Sequence, residues 1–133
     1  MGAMHIRIVC PEHNAYEAEA AFVSVPASDG ELGVLPRHAS EIATIVPGYV
    51  RVADQAMGES DHVFAVTSGY VQIADDEVVV LAARAEDLAD VNADEVREKL
   101  AGFEEQLGNL SEDDARRAYL YNEIAWCRLL LAE

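Results

Sequence analysis

The chain alternates before it spirals. Over roughly its first 84 residues apolar positions recur every second residue in short runs. HIRIVC (5–10) sets Ile6, Ile8 and Cys10 against His5, Arg7 and Val9, and AAFVSVP (20–26) sets Phe22, Ser24 and Pro26 against Val23 and Val25. GYVRVA (48–53) and HVFAVT (62–67) repeat the period, which predicts half-buried strands. Turn formers separate the runs: Ser28-Asp29-Gly30, Pro47-Gly48, Met57-Gly58, Ser68-Gly69 and Asp75-Asp76. Strands at this spacing predict an antiparallel sandwich or flattened barrel. The clearest hairpin is YVQIADDEVVVLAA (70–83), turning at Ala74–Glu77. Its returning strand is apolar on both faces, so its outer side calls for a cover, expected from the second half of the chain.

From about residue 92 the period becomes helical. Asn92 is placed to cap a helix with Glu95 three residues on, and Val96, Leu100, Phe103 and Leu107 form one apolar stripe. Gly108-Asn109 stops it, and Ser111 with its acidic followers predicts a second helix over 112–132. This helix carries Ala115, Ala118, Tyr119, Ile124, Ala125, Trp126, Leu129 and Leu130, more than one seam requires. Two helices so closely joined form an antiparallel hairpin. Packing on the sandwich is the plainest use of the surplus; another molecule or a second hairpin position would serve as well. The expected division is a sandwich domain over 1–88 and a hairpin domain over 89–133.

Charge then narrows the partners. With 9 Lys and Arg against 25 Asp and Glu, the formal net charge is −16. Such a surface disfavours nucleic acid and anionic lipid, both of which need a basic face. No uncharged apolar run approaches the roughly 18 residues of a spanning helix, so no direct membrane insertion is expected. The start carries no secretory signal, and Met4 offers a second candidate for the natural first residue. Cys10 and Cys127 form no Cys-x-x-Cys pair and read as small buried apolar residues in a reducing compartment.

Candidate chemistry is thin. Gly30-x-x-Gly33 lacks the Lys-Ser/Thr of a phosphate loop and reads as turn glycines. His38 near Glu41 has the makings of a base and its orienting carboxylate, yet no Ser or Cys nucleophile shows a recognisable elbow. The four histidines stand singly, without metal-ligand spacing, and Asp75-Asp76-Glu77 is too short for a calcium loop. The chain therefore reads as no enzyme on its own, with no catalytic residue, metal or cofactor expected.

Taken in order, HIRIVCPE, SDGELGVLPRHASEIATIVPGYVRV, AVTSGYVQIADDEVVVLAARAEDL and a helical hairpin closely resemble the epsilon subunit of bacterial F-type ATP synthase. The carrying motifs are G-E-L-G-x-x-P-x-H-A, the downstream P-G-x-x-R, and S-G-Y-V before a V-x-V-L-A strand. The resemblance runs from about His5 to Leu88 at motif level and beyond that as architecture. It implies a mainly β chain with a ten-stranded antiparallel β-sandwich followed by an antiparallel two-helix hairpin. It implies a rotor subunit of the central stalk, bound to the gamma subunit and resting on the c ring. That is a peripheral place on the cytoplasmic face of the bacterial cell membrane, from which proton flow is coupled to ATP synthesis. The hairpin is expected to reach the catalytic alpha/beta head in some states and restrain hydrolysis. Carried over residue by residue, Glu31, Leu32, Leu35, Arg37 and His38 fall on the partner-contacting loop, with Gly30, Gly33 and Pro36 fixing its shape.

Two departures from the family pattern qualify the hairpin. The I/L-D-x-x-R-A string that holds ATP in some members falls on Val91–Val96, with Asn92 for its Asp and Glu95 for its Arg. An acid in place of a cation repels triphosphate, so weak or absent ATP binding is expected; the alternative reading, a free-standing nucleotide sensor, loses ground for the same reason. The inhibitory helix is usually basic. Here residues 89–133 carry 5 basic against 11 acidic side chains, a net of −6, and the cations available for a regulatory contact are Arg116, Arg117 and Arg128. Weaker or differently built inhibition is expected.

Overall fold

A computed structural model describes residues 3–55 and 60–132. The expected Met57-Gly58 turn and Met1 lie outside the described residues. The chain forms two compact units, Met1–Ala89 and Asp90–Glu133.

The first unit is a ten-stranded sheet in the order β10-β7-β6-β3-β5-β8-β9-β1-β2, with β4 hydrogen-bonded to β3 beside that path. The strands are β1 Met4–Cys10, β2 His13–Ala20, β3 Phe22–Ala27, β4 Gly30–Val34, β5 Glu41–Ile45, β6 Gly48–Ala53, β7 His62–Val66, β8 Gly69–Ala74, β9 Glu77–Ala82 and β10 Ala85–Asp87. Every pairing is antiparallel except β1 with β9, which run parallel in the register Ile6↔Val78 and Ile8↔Val80. This pairing joins the N-terminal strand to the late hairpin, which local turn chemistry does not reveal.

The sheet folds over one core. Ile6, Ile8, Val23, Val25, Val34, Ile45, Val50, Val52, Val66, Val71, Val78 and Val80 are all fully buried. They are the inward positions of the period-two runs. Each such side chain contributes about 1.5–3 kcal/mol relative to exposure. Tyr16 on β2 stacks at a tilt on Phe64 of β7, ring centroids 4.6 Å apart, bringing the far end of the sheet over its beginning. The predicted hairpin appears as β8 and β9, joined by Asp75 (φ 51°) and Asp76 (φ 60°). Two successive positive φ values are the signature of the type I′ turn that suits strand twist.

The β2 strand HNAYEAEA has no counterpart among the expected runs. Its inward side is mainly alanine, which signals neither strongly apolar alternation nor high β propensity. On the outer side of β9, Val79 is half-buried and Leu81 is 41% exposed.

The second unit holds α1 Ala93–Gly108 and α2 Arg116–Leu130, after a 3-10 turn at Leu88–Asp90. Asn92 caps α1 as expected, its side chain accepting from the Glu95 N–H at 3.2 Å. The α2 helix starts later than predicted. Ser111 does not cap it; residues 112, 113 and 115 lie in turns, and the Asp114 carboxylate accepts the Arg116 N–H at 2.9 Å. Val96 of α1 and Leu120, Ile124 and Cys127 of α2 are the buried side chains, and Leu120 and Cys127 extend the seam beyond the predicted residues. Among the described residues no helix is long and apolar enough to cross a membrane.

Candidate functional site

The G-E-L-G stretch is a strand that leads into a turn. Ser28 and Asp29 connect β3 to β4, and Gly30 closes that turn at φ 122°, a conformation side chains rarely tolerate. The β4 strand pairs with β3 through Pro26↔Glu31, Val25↔Leu32 and Val23↔Val34. Gly33 is no turn residue. A Cβ there would meet the Phe22 ring at 3.2 Å, so this glycine allows a close approach within the hairpin.

Glu31 projects from β4 and accepts the hydroxyl hydrogen of Ser24, the one buried polar side chain among the described residues. The same Glu31 oxygen lies 3.2 Å from Arg51 Nη1 on β6, forming an ion pair open to water on one side. Arg51 stands in turn 5.5 Å over the Tyr49 ring, and burial raises the Tyr49 hydroxyl pKa despite the nearby guanidinium. The P-G-x-x-R string makes this possible. A Cβ at Gly48 would sit 2.7 Å from the Pro26 Cβ, so only glycine lets β6 run close enough for Arg51 to reach Glu31. The two motifs thus meet physically, around a shallow cavity of about 300 Å³ lined by Pro26, Gly30, Glu31, Val46, Tyr49 and Arg51.

After β4 the chain turns at Leu35–His38. The His38 N–H donates to the Leu35 carbonyl at 3.1 Å, with Pro36 and then Arg37 at φ 69° between them. Proline followed by a positive-φ residue is the type II pattern. The turn is tied from outside: the Arg37 N–H donates to Asp76 Oδ1 at 2.6 Å, while the Asp76 carbonyl accepts the His5 N–H at 2.9 Å. His38 Nδ1 donates to the Ala39 carbonyl at 2.7 Å, and its Nε2 lies 3.9 Å from Glu41, beyond hydrogen-bond reach. Nothing in this arrangement resembles a nucleophile and its base. Among the described residues no group of three His, Cys, Asp or Glu side chains is placed to hold a metal ion.

The expected contact residues therefore separate. Leu35 is 47% exposed at the turn beside exposed Arg37, whereas Leu32 packs against the sandwich core. Glu31 is engaged within the chain by Ser24 and Arg51. Sequence reasoning missed Ser24, Arg51 and Asp76 as the groups that hold this edge. The paired Asp75-Asp76 turn was visible, but its reach to Arg37 was not.

A second surface emerges on the outer face of β5, β8, β9, β1 and β2. Register places Ile42, Gln72, Val79, Arg7 and Glu17 in one row. Thr44, Tyr70, Leu81, Val9 and Asn14 form the next. Ile42 is 72% and Tyr70 57% exposed, so with Leu81 an apolar patch faces solvent. Patches of this kind mark interaction surfaces.

In the hairpin the three arginines expected to offer a regulatory contact are each engaged locally. Arg116 makes a two-point contact with Asp114 at 3.0 and 2.8 Å, which holds that carboxyl down at about 2. Arg117 reaches the Leu110 carbonyl beyond the end of α1 at 3.4 Å and the Tyr121 hydroxyl at 2.8 Å. Arg128 pairs with Glu104 at 3.1 Å, linking α2 to α1.

Residues 3–88 match the family model described as ATP synthase, Delta/Epsilon chain, beta-sandwich domain. The chain is 33% identical over 134 residues to the ATP synthase epsilon chain of Halalkalibacterium halodurans, covering 99% of this chain and 98% of the relative. It is 37% identical over 119 residues to that of Delftia acidovorans, covering 89% and 85%. Its fold is similar to a chain in the Euglena gracilis mitochondrial ATP synthase (OSCP/F1/c-ring), with a TM-score of 0.77 at 17% identity, covering 99% of this chain and 81% of that one. A chain of the Tetrahymena thermophila mitochondrial ATP synthase central stalk and c ring matches with a TM-score of 0.60 at 16% identity, covering 97% and 94%.

Proposed function

The chain belongs to the delta/epsilon family of ATP synthase subunits, and from that premise we propose that it serves as a non-catalytic rotor element joining the gamma subunit to the c ring. The observation that carries this reading is the open apolar face of Ile42, Tyr70 and Leu81 on an otherwise acidic chain. A monomer gains nothing by leaving that face wet, whereas a permanent partner buries it. We assign the face to gamma. The Leu35–His38 turn, exposed and fixed by Asp76, is assigned to the polar loops of the c ring, with Glu31 shaping its base through Arg51. Such a subunit sits peripherally on the cytoplasmic face of the membrane and helps couple proton flow to ATP synthesis.

The hairpin is proposed to meet the catalytic head weakly. Arg116, Arg117 and Arg128 already contact groups of their own hairpin, which lowers what they have to offer an acidic partner. Removing residues 89–133 is expected to leave ATP hydrolysis by the assembled complex nearly unchanged; a large rise would overturn this part. Tight ATP binding is not expected, since Glu95 repels phosphate and Asn92 is occupied in capping.

The central test is co-purification of the full chain with gamma and the c ring of the same complex. Tyr70→Asp is expected to lose gamma, and Leu35→Asp to keep gamma but lose the ring. Failure of the unsubstituted chain to co-elute with gamma would sink the reading.

A further inference from the structure

Arg7 stands in the middle of the outer face. It shares a row with Val79 and Gln72 on one side and Glu17 on the other, two residues from Val9. The carboxylate directly across from it is taken. Glu17 is held by His5 Nε2 at 2.6 Å and by the Asn14 amide at 3.2 Å. The Arg7 Nε is buried and has no hydrogen-bond partner. A cavity of about 220 Å³ opens beside it, lined by Arg7, Gln72, Ala74, Glu77 and Val79. Glu77 lines the cavity without making an ion pair with Arg7.

A buried guanidinium nitrogen with no acceptor is costly, and no acid among the described residues answers this one. The cation also lies beside the apolar side chains of β5, β8 and β9, with Val79 next to it and Leu81 one row on, where water is displaced once a partner docks. There a carboxylate would meet Arg7 in a medium of low dielectric and in the planar, two-pronged geometry that guanidinium favours. The cavity has room for the short acidic side chain that this requires.

We propose that Arg7 is the charged anchor of this face and receives an Asp or Glu side chain from the docked protein, flanked by apolar contacts to Ile42, Tyr70 and Leu81. The inference rests on the assignment of this face to gamma and adds the chemistry that the partner must present. The apolar residues give the contact its area, and the ion pair fixes its register. Glu77, at the rim of the same cavity, competes with the incoming carboxylate.

The test is titration of the full chain with purified gamma, using Arg7→Leu, Glu77→Gln and Tyr70→Asp. Removing one partner of a desolvated pair strands the other, so Arg7→Leu is expected to weaken binding about tenfold or more while the melting temperature holds. Glu77→Gln is expected to tighten binding. Should Arg7→Leu fold poorly, Arg7→Lys replaces it and is expected to retain part of the affinity with a steeper salt dependence. Arg7→Leu binding as tightly as the unsubstituted chain, with Tyr70→Asp failing to bind, would overturn the anchor while leaving the docking face intact. No loss from either variant would overturn the assignment of the face itself. Arg7-dependent binding to phosphatidylglycerol vesicles in place of gamma would overturn both.

Discussion

The sandwich and the hairpin are held by different means. In the sandwich, strands far apart in sequence share one continuous core of fully buried Ile and Val. In the hairpin, the described residues bury only Val96, Leu120, Ile124 and Cys127, and much else is local. The local terms are the Asn92 cap, the Asp94–Arg97 pair at 3.3 Å, and the contacts of Arg116, Arg117 and Arg128. Exposed pairs of this kind contribute about 0–1 kcal/mol each. The hairpin therefore belongs to the low-stability end of the molecule, where opening is easy, and the sandwich to the rigid end.

Two glycines sharpen that contrast, because the same substitution is expected to act with opposite sign. A Cβ on Gly69 in β8 would fall 1.8 Å from the Leu81 carbonyl oxygen. The backbones of β8 and β9 cannot separate without breaking their ladder, so Gly69→Ala is expected to destabilise the chain by about 3 kcal/mol or more. Thermal or urea unfolding of the full chain checks it; a melting temperature near that of the original would show that the sandwich yields more than its packing implies. Gly102, inside α1, has nothing within 4 Å of where its Cβ would be. Gly102→Ala is expected to stabilise the hairpin by up to about 1 kcal/mol, through helix propensity. Slower amide exchange confined to α1 and α2 is the readout, and slowing spread through the sandwich would erase the distinction.

The smallest expected effect is on pH, and it too divides the regions. Hydrogen bonds to Glu19 and then Glu17 raise the His5 pKa above 6.5. The stability this contributes is fully present below about 6.5 and is lost as pH rises through the higher folded value. In the hairpin, the Asp114 carboxyl is lowered from 3.8 to about 2 by Arg116. Its contribution is present above 3.8 and is lost as pH falls toward 2. Both groups remain partly open to water, His5 at 35% and Asp114 at 21% side-chain exposure, so solvent screens them and the changes are small. NMR titration is expected to show the β1–β2 edge loosening on the alkaline side and the start of α2 on the acid side. The reverse order would contradict the assigned pairs.

Much of this was legible in the residues. The switch of period near residue 92 separates sheet from helix, because side chains repeat every two positions on a pleated strand and about every 3.6 on a helix. The Asn92 cap and the conformation of the Asp75-Asp76 turn depend on residues a few positions away, so they follow from local chemistry, whereas the reach of Asp76 to Arg37 does not. The late start of α2 was not legible because Ser111-Glu112-Asp113-Asp114 offers several competing caps; the helix begins after Ala115, with the Asp114 carboxylate accepting the Arg116 N–H. The β2 strand escaped because alanines on its inward side carry little signal.

The sequence by itself determined the periods, the Asp75-Asp76 turn, the Asn92 cap and the family motifs, all of which are properties of neighbours along the chain. The tertiary structure alone decided which distant residues meet. Glu31 finds Arg51 across 20 positions, and Arg37 finds Asp76 across 39. Among the described residues the Arg7 Nε has no acceptor, while His5 and Asn14 hold the carboxylate opposite it. Charges act through space, and only the folded sheet fixes the few ångströms that separate a satisfied arginine from one left open to a partner.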